Sequence, residues 1–291
     1  MSKISFILPA YKRAFLKEAI ESILAQTYVD FELVVVDDNS PEHLDEVVKE
    51  FKDPRLTYYH HEVNLGGKSL IDAWEYAMQY AKGEWCVLAS DDDMYAPEYL
   101  AEMMALTEKY PKAHLFHSRA VKVDSQGKWL KLGEVRAPFE SQIEMAYSRG
   151  VRGFQQTAPD FMFRLSAFKA LGGFVRFPLA WYSDDATWFE LAKNGVGFTE
   201  KPLFLCRVSG INISGQANNL ALKLQAAEEF KAWFVEFASR LVATSKTDEV
   251  LRRNLEAAVC YVVDEFSREQ ISALPWLKRI VTKIKRRLTR R

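Results

Sequence analysis

The chain has 291 residues, of which 48% are hydrophobic and 27% are charged. These are the proportions of a folded globular protein, so they exclude a largely disordered or fibrous chain, and the length allows one large domain or two smaller ones. The 39 basic and 39 acidic residues balance, which argues against a general nucleic-acid coat protein, and three widely spaced cysteines argue against a disulfide framework or a cysteine-based zinc site.

The N-terminal segment and the cysteines bear on the compartment. The apolar run at 4–8 is ended by Pro9 before it reaches the length of a signal-peptide core. No run comes near the roughly 18 apolar residues that a membrane span needs. Together with the absence of a disulfide pattern, these features predict a cytoplasmic protein.

In the first half of the chain, apolar runs alternate with helical patterns. Strands are predicted at 4–8, 31–36, 56–60 and 85–89, and helices at 15–26, 41–51 and 69–81. Strands that alternate with helices form βαβ units, and continuous apolar runs indicate strands that are covered on both faces. The predicted fold class is therefore α/β, a sandwich of helices around a mainly parallel sheet.

The second half is mixed and then entirely helical. Helices are predicted near 166–171 and from 183 to 194, with a turn at 124–127 and an Arg- and Gly-bearing loop at 149–153 between mixed segments. From residue 219 the pattern predicts helices at 219–242, 247–268 and 274–289. We therefore predict an α/β domain over 1–215 and a C-terminal helical region over 216–291.

Three polar clusters follow predicted strands. They are Pro9-Ala10-Tyr11, Asp37-Asp38 and Asp91-Asp92-Asp93. Ligands of open α/β sheets bind at the carboxyl ends of the strands, and crowded carboxylates there favour a hard divalent cation or hydrogen-bond donors. Two alternatives stay open: helix capping for Asp37-Asp38, which precede Asn, Ser and Pro, and a solvated acidic loop for the three later aspartates.

A fourth acidic cluster, Asp184-Asp185, follows the aromatic residues Trp181 and Tyr182 and begins a predicted helix. One interpretation is helix capping by Ser183 or Asp184. The other is a general base beside an apolar wall that packs against a sugar or another ring.

Taken in order, these clusters resemble the family 2 glycosyltransferases, inverting enzymes of the GT-A fold that include bacterial surface-polysaccharide enzymes. The resemblance covers about residues 3–215. Its motifs are Ile7-Leu8-Pro9-Ala10-Tyr11, Val34 to Ser40, Asn64-x-Gly66, Ala81-x-Gly83-Glu84, Leu88-x-x-Asp91-Asp92-x-x-Tyr95-x-Pro97, Phe163-Arg164, Leu171 to Phe174, Asp184-Asp185, Asn194-Gly195, Pro202-Leu203 and Arg207-x-x-Gly210-x-Asn212-x-Ser214.

The resemblance implies a nucleotide-sugar-binding and catalytic domain at 1–215, with a role for each matching position. Asp91 would contact the ribose, Asp92 would coordinate a Mn²⁺ or Mg²⁺ ion that bridges the diphosphate, and Asp185, or failing that Asp184, would be the catalytic base. Pro9, Ala10 and Tyr11 would line the pocket for the nucleotide base, and Asp38 would form a hydrogen bond with the base. Arg13, Asn64, Gly66 and Lys68 are further donor-binding candidates. Asp93 and Arg207 are additional candidates, and Trp181 and Tyr182 would form the wall for the acceptor or sugar.

Three positions depart from the family pattern. Ser90 replaces the leading Asp of the commonest DXD motif, the acidic pair is Asp-Asp rather than Glu-Asp, and Ser209 stands where an Arg-x-His motif would place its histidine. The last departure puts a metal or phosphate ligand from the C-terminal side in doubt.

The charge balance hides a strongly basic C-terminus. Residues 278–291 hold eight Lys and Arg and no acid, which leaves 31 basic and 39 acidic residues, a net charge of −8, in the rest of the chain. Leu277, Ile280, Val281, Ile284 and Leu288 fall on one helical face. A basic amphipathic helix at 277–291 suits an anionic membrane surface, so a peripheral position on the inner face of the cell membrane is one hypothesis; a helix that packs on the domain is the other.

The predicted function is transfer of a sugar from a nucleoside diphosphate sugar, with a UDP-sugar as the first candidate, to a glycan or lipid-linked acceptor in polysaccharide biosynthesis. No nucleic-acid partner is expected. The alternative is a non-catalytic GT-A module that binds sugar or lipid. A nucleotidyltransferase would need a Gly-rich phosphate loop after the first strand, and a phospho-receiver domain would carry its acidic pair after the first strand rather than the second.

Overall fold

The computed structural model describes residues 3–209 and 219–272. Its centre is one sheet, whose N-terminal part consists of β1 (Ile4–Ala10), β2 (Phe31–Asp37), β3 (Leu56–His60) and β4 (Trp85–Leu88). These four strands lie in the order β3-β2-β1-β4 and pair in parallel. The four predicted strands are therefore present, and their carboxyl ends meet at one edge of the sheet.

The helices that connect these strands are shorter than predicted. They are α1 (Leu16–Leu24), α2 (Leu44–Val48) and α3 (Leu70–Met78). Ser69 caps α3, since its side chain accepts a hydrogen bond from the backbone N–H of Asp72 at 3.2 Å. α2 spans five residues of the predicted 41–51, and its apolar residues Leu44, Val47 and Val48 are buried.

The sheet is mixed beyond β4. The further elements are β5 (Met94–Tyr95), α4 (Tyr99–Lys109), β6 (Leu115–Val123), β7 (Trp129–Leu132), β8 (Phe139–Glu140), α5 (Gln142–Gly150), β9 (Phe161–Arg164), α6 (Leu165–Leu171), α7 (Ser183–Leu191) and β10 (Val196–Arg207). β9 runs antiparallel to both β4 and β6, whereas β6 and β10 are parallel. The prediction of parallel pairing thus applies to the first four strands and to the β6–β10 pair.

Hydrophobic cores cover both faces of the sheet. Along β1, Phe6 and Leu8 pack into one core with α1, α2 and α4, while Ile7 packs into the other with α3, α5 and α7. Side chains alternate between the faces of a strand, so a strand that is buried on both sides needs apolar residues throughout. This explains the uninterrupted apolar runs in the sequence.

The C-terminal helices share one of these cores. They are α8 (Leu220–Arg240), α9 (Lys246–Arg252) and α10 (Leu255–Ser272), so the single helix predicted at 247–268 is two helices. Phe230, Phe234 and Phe237 of α8 pack in the same core as Trp188 of α7. The boundary predicted at 215, the Gly210–Ser214 end of the last motif and the basic helix at 277–291 all lie outside the described residues. No helix within the described ranges is long and apolar enough to cross a membrane.

Candidate active site

A cavity of about 1150 Å³ lies where the parallel strands end. Its walls come from the residues after β1, β2 and β4, from the start of α7, and from α8 and α10. The predicted site residues that line it are Pro9, Ala10, Tyr11, Asp38, Asn64, Gly66, Asp91, Asp92, Asp93, Trp181, Tyr182, Asp184 and Asp185. One cavity therefore joins the predicted nucleotide pocket to the predicted base.

Asp91 anchors the loop after β1. One of its carboxylate oxygens accepts hydrogen bonds from the backbone N–H groups of Tyr11 at 2.8 Å and Lys12 at 2.7 Å. Burial raises the pKa of Asp91, and these two hydrogen bonds oppose that rise. The carboxylate thus holds Tyr11 at the cavity wall.

Asp38 anchors a second loop. Its two oxygens accept from the backbone N–H groups of Leu65 at 2.8 Å and Gly66 at 2.7 Å. A Cβ at Gly66 would lie 2.9 Å from the Asp38 Oδ2 atom, so the close approach of this turn requires a residue without a side chain.

Asp37, the neighbour of Asp38, has a different role. Its carboxylate accepts from the Tyr58 hydroxyl at 2.6 Å and from the backbone N–H of Ser40 at 2.7 Å. Burial, together with this acceptor, raises the pKa of Tyr58. Asp37 is absent from the cavity lining and ties β3 to the loop after β2.

Arg207 secures the acidic loop from behind. The buried side chain donates from Nε to the backbone oxygen of Asp92 at 2.9 Å, and the Arg207 backbone N–H donates to the Asp93 carboxylate at 2.8 Å. Burial, followed by the charge of Asp92, raises the pKa of Asp93 well above its usual range. Arg207 is not among the described cavity-lining residues; it positions the aspartates that are.

Asp92, the predicted metal ligand, lines the cavity beside a hydroxyl group and an ammonium group. Its carboxylate accepts a hydrogen bond from the hydroxyl of Ser90, and the ammonium group of Lys12 lies 3.7 Å away. Within 3–209 and 219–272, no group of three or more His, Cys, Asp or Glu side chains is arranged to hold a metal ion. These residues fit a Mg²⁺ or Mn²⁺ ion that a diphosphate also coordinates, because hard cations take oxygen ligands and the protein alone offers too few.

The acidic pair at the start of α7 has two different environments. Arg149 binds Asp185 with two parallel hydrogen bonds, from Nε to Oδ1 at 2.8 Å and from Nη2 to Oδ2 at 2.9 Å. Gln156 donates a third, from Nε2 to Oδ1 at 2.8 Å. Asp184 is half-buried beside them, and burial, followed by the charge of Asp185, raises its pKa to about 7. Burial opposes the charged form of Arg149, but the carboxylates of Asp185 and Asp184 outweigh it and raise the Arg149 pKa.

The segment before α7 is strained and aromatic. Leu179, Ala180 and Tyr182 all have positive φ angles, which residues other than glycine rarely adopt and which cluster at functional sites. Tyr182 stacks on Phe230 of α8 at 4.6 Å between ring centroids. These contacts connect the cavity wall to the C-terminal helices.

Trp181 meets a lysine from the C-terminal helices. The Lys223 ammonium lies 4.5 Å from the centroid of the Trp181 ring, and burial lowers the pKa of Lys223. Both residues line the cavity, so an aromatic ring and a cationic group lie side by side in its wall.

Two predicted donor contacts lie elsewhere. Arg13 pairs with Glu46 at 2.8 Å and donates to the backbone oxygens of Glu42 and His43, and neither Arg13 nor the exposed Lys68 belongs to the described cavity lining. Conversely, the site contains Lys12, Arg149, Gln156 and Lys223, which the sequence did not single out. Only Arg149 had a signal, the Arg- and Gly-bearing loop, and nothing in its spacing pointed to Asp185.

Comparisons with known proteins place this geometry in context. Among curated proteins, the chain is 35% identical over 105 residues to the putative colanic acid biosynthesis glycosyl transferase WcaA of Escherichia coli. The aligned region covers 35% of this chain and 37% of that protein. It is 26% identical over 214 residues to an uncharacterized glycosyltransferase of Rickettsia felis. This aligned region covers 72% of this chain and 33% of that protein. The chain thus spans about a third of the length of these relatives.

Two solved structures show the fold. A fragment of S. aureus TarS in complex with UDP-GlcNAc matches with a TM-score of 0.68 at 20% identity, covering 94% of this chain and 76% of that one. The mannosyltransferase PcManGT from Pyrobaculum calidifontis, in complex with GDP-Man and Mn²⁺, matches with a TM-score of 0.57 at 18% identity. This match covers 99% of this chain and 81% of that one. The fold is that of the GT-A glycosyltransferases.

The sequence model described as glycosyl transferase family 2 matches residues 5–172, more than half of the 291 residues. The chain belongs to glycosyl transferase family 2.

Proposed function

We propose that this protein transfers a sugar from a nucleoside diphosphate sugar to a hydroxyl group of a glycan or lipid-linked acceptor, with inversion at the anomeric carbon. The observation that carries the proposal is a cavity that is lined both by the Asp38 and Asp91 loops and by the Asp184–Asp185 pair. A UDP-sugar is the first candidate donor, and polysaccharide biosynthesis is the proposed context. The UDP-GlcNAc and GDP-Man complexes of the structural neighbours support the donor class.

The donor half of the site binds and orients the nucleotide. Tyr11, held by Asp91, and the Asn64–Gly66 turn, held by Asp38, form its walls. Asp92 would hold a Mn²⁺ or Mg²⁺ ion together with the diphosphate, and Lys12 adds positive charge beside it. Such an ion, when bound, neutralises charge on the departing nucleoside diphosphate. The Mn²⁺ in the PcManGT complex supports this assignment.

The acidic pair supplies the base. The acceptor hydroxyl loses its proton as its oxygen attacks the anomeric carbon, and a base works best when its pKa lies near the working pH. Asp185 already accepts three hydrogen bonds from Arg149 and Gln156, whereas Asp184 has a pKa of about 7. We therefore propose that Asp184 takes the proton of the acceptor hydroxyl. Asp185 is the fixed negative charge beside it.

Specific binding to the native state raises its melting temperature, so nucleotide binding is tested first. We expect one of UDP and GDP to stabilise the protein in a Mn²⁺- or Mg²⁺-dependent manner, and Asp92→Ala to lose the cation dependence. Asp45→Ala is the control, because Asp45 pairs with Lys49 on the protein surface. No shift with any nucleotide and cation would contradict the proposed donor site.

Turnover separates an enzyme from the alternative, a GT-A module that binds without catalysis. UDP-GlcNAc, UDP-Glc and GDP-Man are incubated with the protein, and release of UDP or GDP is measured with and without glycan acceptors. Release that Asp184→Asn and Asp185→Asn both diminish supports the transferase. Nucleotide binding with no turnover of any donor, with or without acceptor, supports the module.

The basic C-terminus is proposed to bind an anionic membrane surface, where a lipid-linked acceptor would be found. The support is the composition of 277–291, with apolar residues at helical spacing between Lys and Arg. The full chain and a full-length variant with Lys283, Lys285, Arg286 and Arg287 changed to Gln are sedimented with phosphatidylglycerol vesicles. Equal pelleting of both proteins would contradict the proposal.

A further inference from the structure

A chain of buried polar side chains leads away from the acidic pair into the protein. Gln156, only 5% exposed, contacts Asp185 through Nε2, and its Oε1 accepts a hydrogen bond from the Arg136 Nη2 atom at 3.2 Å. The amide has one orientation that satisfies both neighbours, because a guanidinium only donates and a carboxylate only accepts. The hydrogen bond from Arg136 therefore fixes the orientation of the Gln156 amide, with its NH₂ group toward Asp185.

The far end of this chain is also satisfied. Arg136 Nη1 pairs with the Glu140 carboxylate at 3.3 Å, and the Ser148 hydroxyl donates to the other Glu140 oxygen at 2.8 Å. Burial lowers the pKa of Arg136, and Glu140 opposes that change. Arg136, Glu140 and Ser148 are at most 6% exposed, so the whole network lies inside the protein.

Stability alone is a weak reason for such a network. When an ion pair is buried, the free energy lost by removing both charges from water largely cancels their mutual attraction. Apolar residues of similar volume often give the folded protein the same stability. A fully satisfied polar network does, however, hold its members in one arrangement. The member that reaches the cavity is Asp185, which lies next to Asp184 in sequence.

We propose that Gln156, oriented by Arg136, is a positioning residue that holds Asp185 in place and thereby sets the protonation of the neighbouring Asp184. The inference rests on the proposed function, since it concerns the base of the same reaction. Gln156 touches no reacting atom in this scheme. It acts through Asp185, whose orientation and negative charge act on Asp184.

The groups that face the pair come from several elements. Arg149 of α5 contacts Asp185 directly, and Tyr182 lies just before the pair. Arg136 and Glu140 lie behind Gln156. Replacing Gln156 with Glu adds one negative charge to this set at nearly constant size, which disfavours ionisation of Asp184.

The test uses three full-length variants: Gln156→Ala, Gln156→Glu and, as a matched control, Gln155→Ala. Gln155 is the adjacent residue, and its side-chain amide has no hydrogen-bond partner in the described part of the chain. UDP binding is measured by the shift in melting temperature with Mn²⁺. Turnover of the active donor is measured as kcat, and as kcat/KM across pH 5–9.

We expect Gln156→Ala to lower kcat by about 10- to 100-fold, the loss typical of a small misplacement of a catalytic group, with unchanged UDP binding. Gln156→Glu should move the midpoint of the kcat/KM profile to higher pH, which a structural role alone would not do. Gln155→Ala should match the wild type in both measurements.

Two results would overturn the inference. One is wild-type kcat and pH profile in both Gln156 variants; the other is an equal loss of UDP binding and turnover in Gln156→Ala, with no shift in Gln156→Glu. A wild-type protein that binds UDP but turns over no donor refutes the proposed function itself, and the inference falls with it. The wild-type measurement therefore distinguishes the two failures.

Discussion

Replacing Arg149 with Ala should destabilise the protein by leaving the Asp185 carboxylate buried without its ion partner. The Asp185 side chain is 6% exposed and the Arg149 side chain 30%. Removing one partner of a fully buried pair costs about 3–5 kcal/mol. Because Arg149 is partly solvated, we expect a smaller loss, about 2–3 kcal/mol. For a chain of this size, that corresponds to a fall in melting temperature of about 4–12 °C.

The loss should depend on pH in a defined direction. Burial, followed by the charge of Asp185, raises the pKa of Asp184 to about 7, and Arg149 opposes that rise. Without Arg149, Asp184 therefore binds its proton more strongly than in the wild type. A folded state that binds more protons than the unfolded chain loses stability as pH rises. The deficit should therefore be larger at pH 8 than at pH 5, and thermal denaturation at both values measures it.

The controls isolate the ion pair. Arg152→Ala removes a neighbouring arginine whose guanidinium lies 5.3 Å from the Tyr147 ring centroid, and it should cost less than about 1 kcal/mol. The double variant Arg149→Ala, Asp185→Asn removes the unpaired charge and should recover part of the lost stability. Equal losses for Arg149→Ala and Arg152→Ala at pH 8, or no recovery in the double variant, would refute the reasoning.

Three further predictions address the proposed base, the turn at Gly66 and a helix contact at the cavity wall. The kcat/KM of the wild type should rise with pH through about 7 as Asp184 loses its proton, and Asp184→Asn should lower kcat by about 10²- to 10⁴-fold, both measured by nucleoside diphosphate release. Gly66→Ala places a Cβ 2.9 Å from the Asp38 carboxylate, so it should weaken UDP binding by about tenfold in titration calorimetry, a loss of about 1.4 kcal/mol. Gly150→Ala brings a Cβ to 2.8 Å from the Val259 side chain, where overpacking costs about 1–3 kcal/mol in chemical denaturation, and Val259→Ala in the same chain should relieve it.

The first half of the fold could be predicted because its signals are local. An apolar run such as Phe31–Val36 becomes a strand covered on both faces, and the aspartates that follow it end the run. Since parallel strands share one carboxyl edge, Asp38 and Asp91 were expected to meet, and both line the cavity. The second half was harder, because β9 pairs antiparallel with two strands and its four residues carry no periodicity that reveals them.

The helix pattern misled at 247–268 for a local reason. Apolar spacing continues through this range, but α9 ends at Arg252 and α10 begins at Leu255. Asn254 immediately precedes α10, and asparagine is favoured where helices begin. A signal for the break was therefore present, although weaker than the periodicity.

The sequence by itself determined which chemistry the chain carries: acidic clusters after β2 and β4, and an acidic pair at the start of α7. Only the tertiary structure decided which partners those groups contact. Asp185 meets Arg149 from 36 residues away and Gln156 from 29, and Asp93 meets Arg207 from 114. Residue type and spacing follow from local propensity and burial, whereas partners so distant along the chain are chosen by how the helices and strands pack.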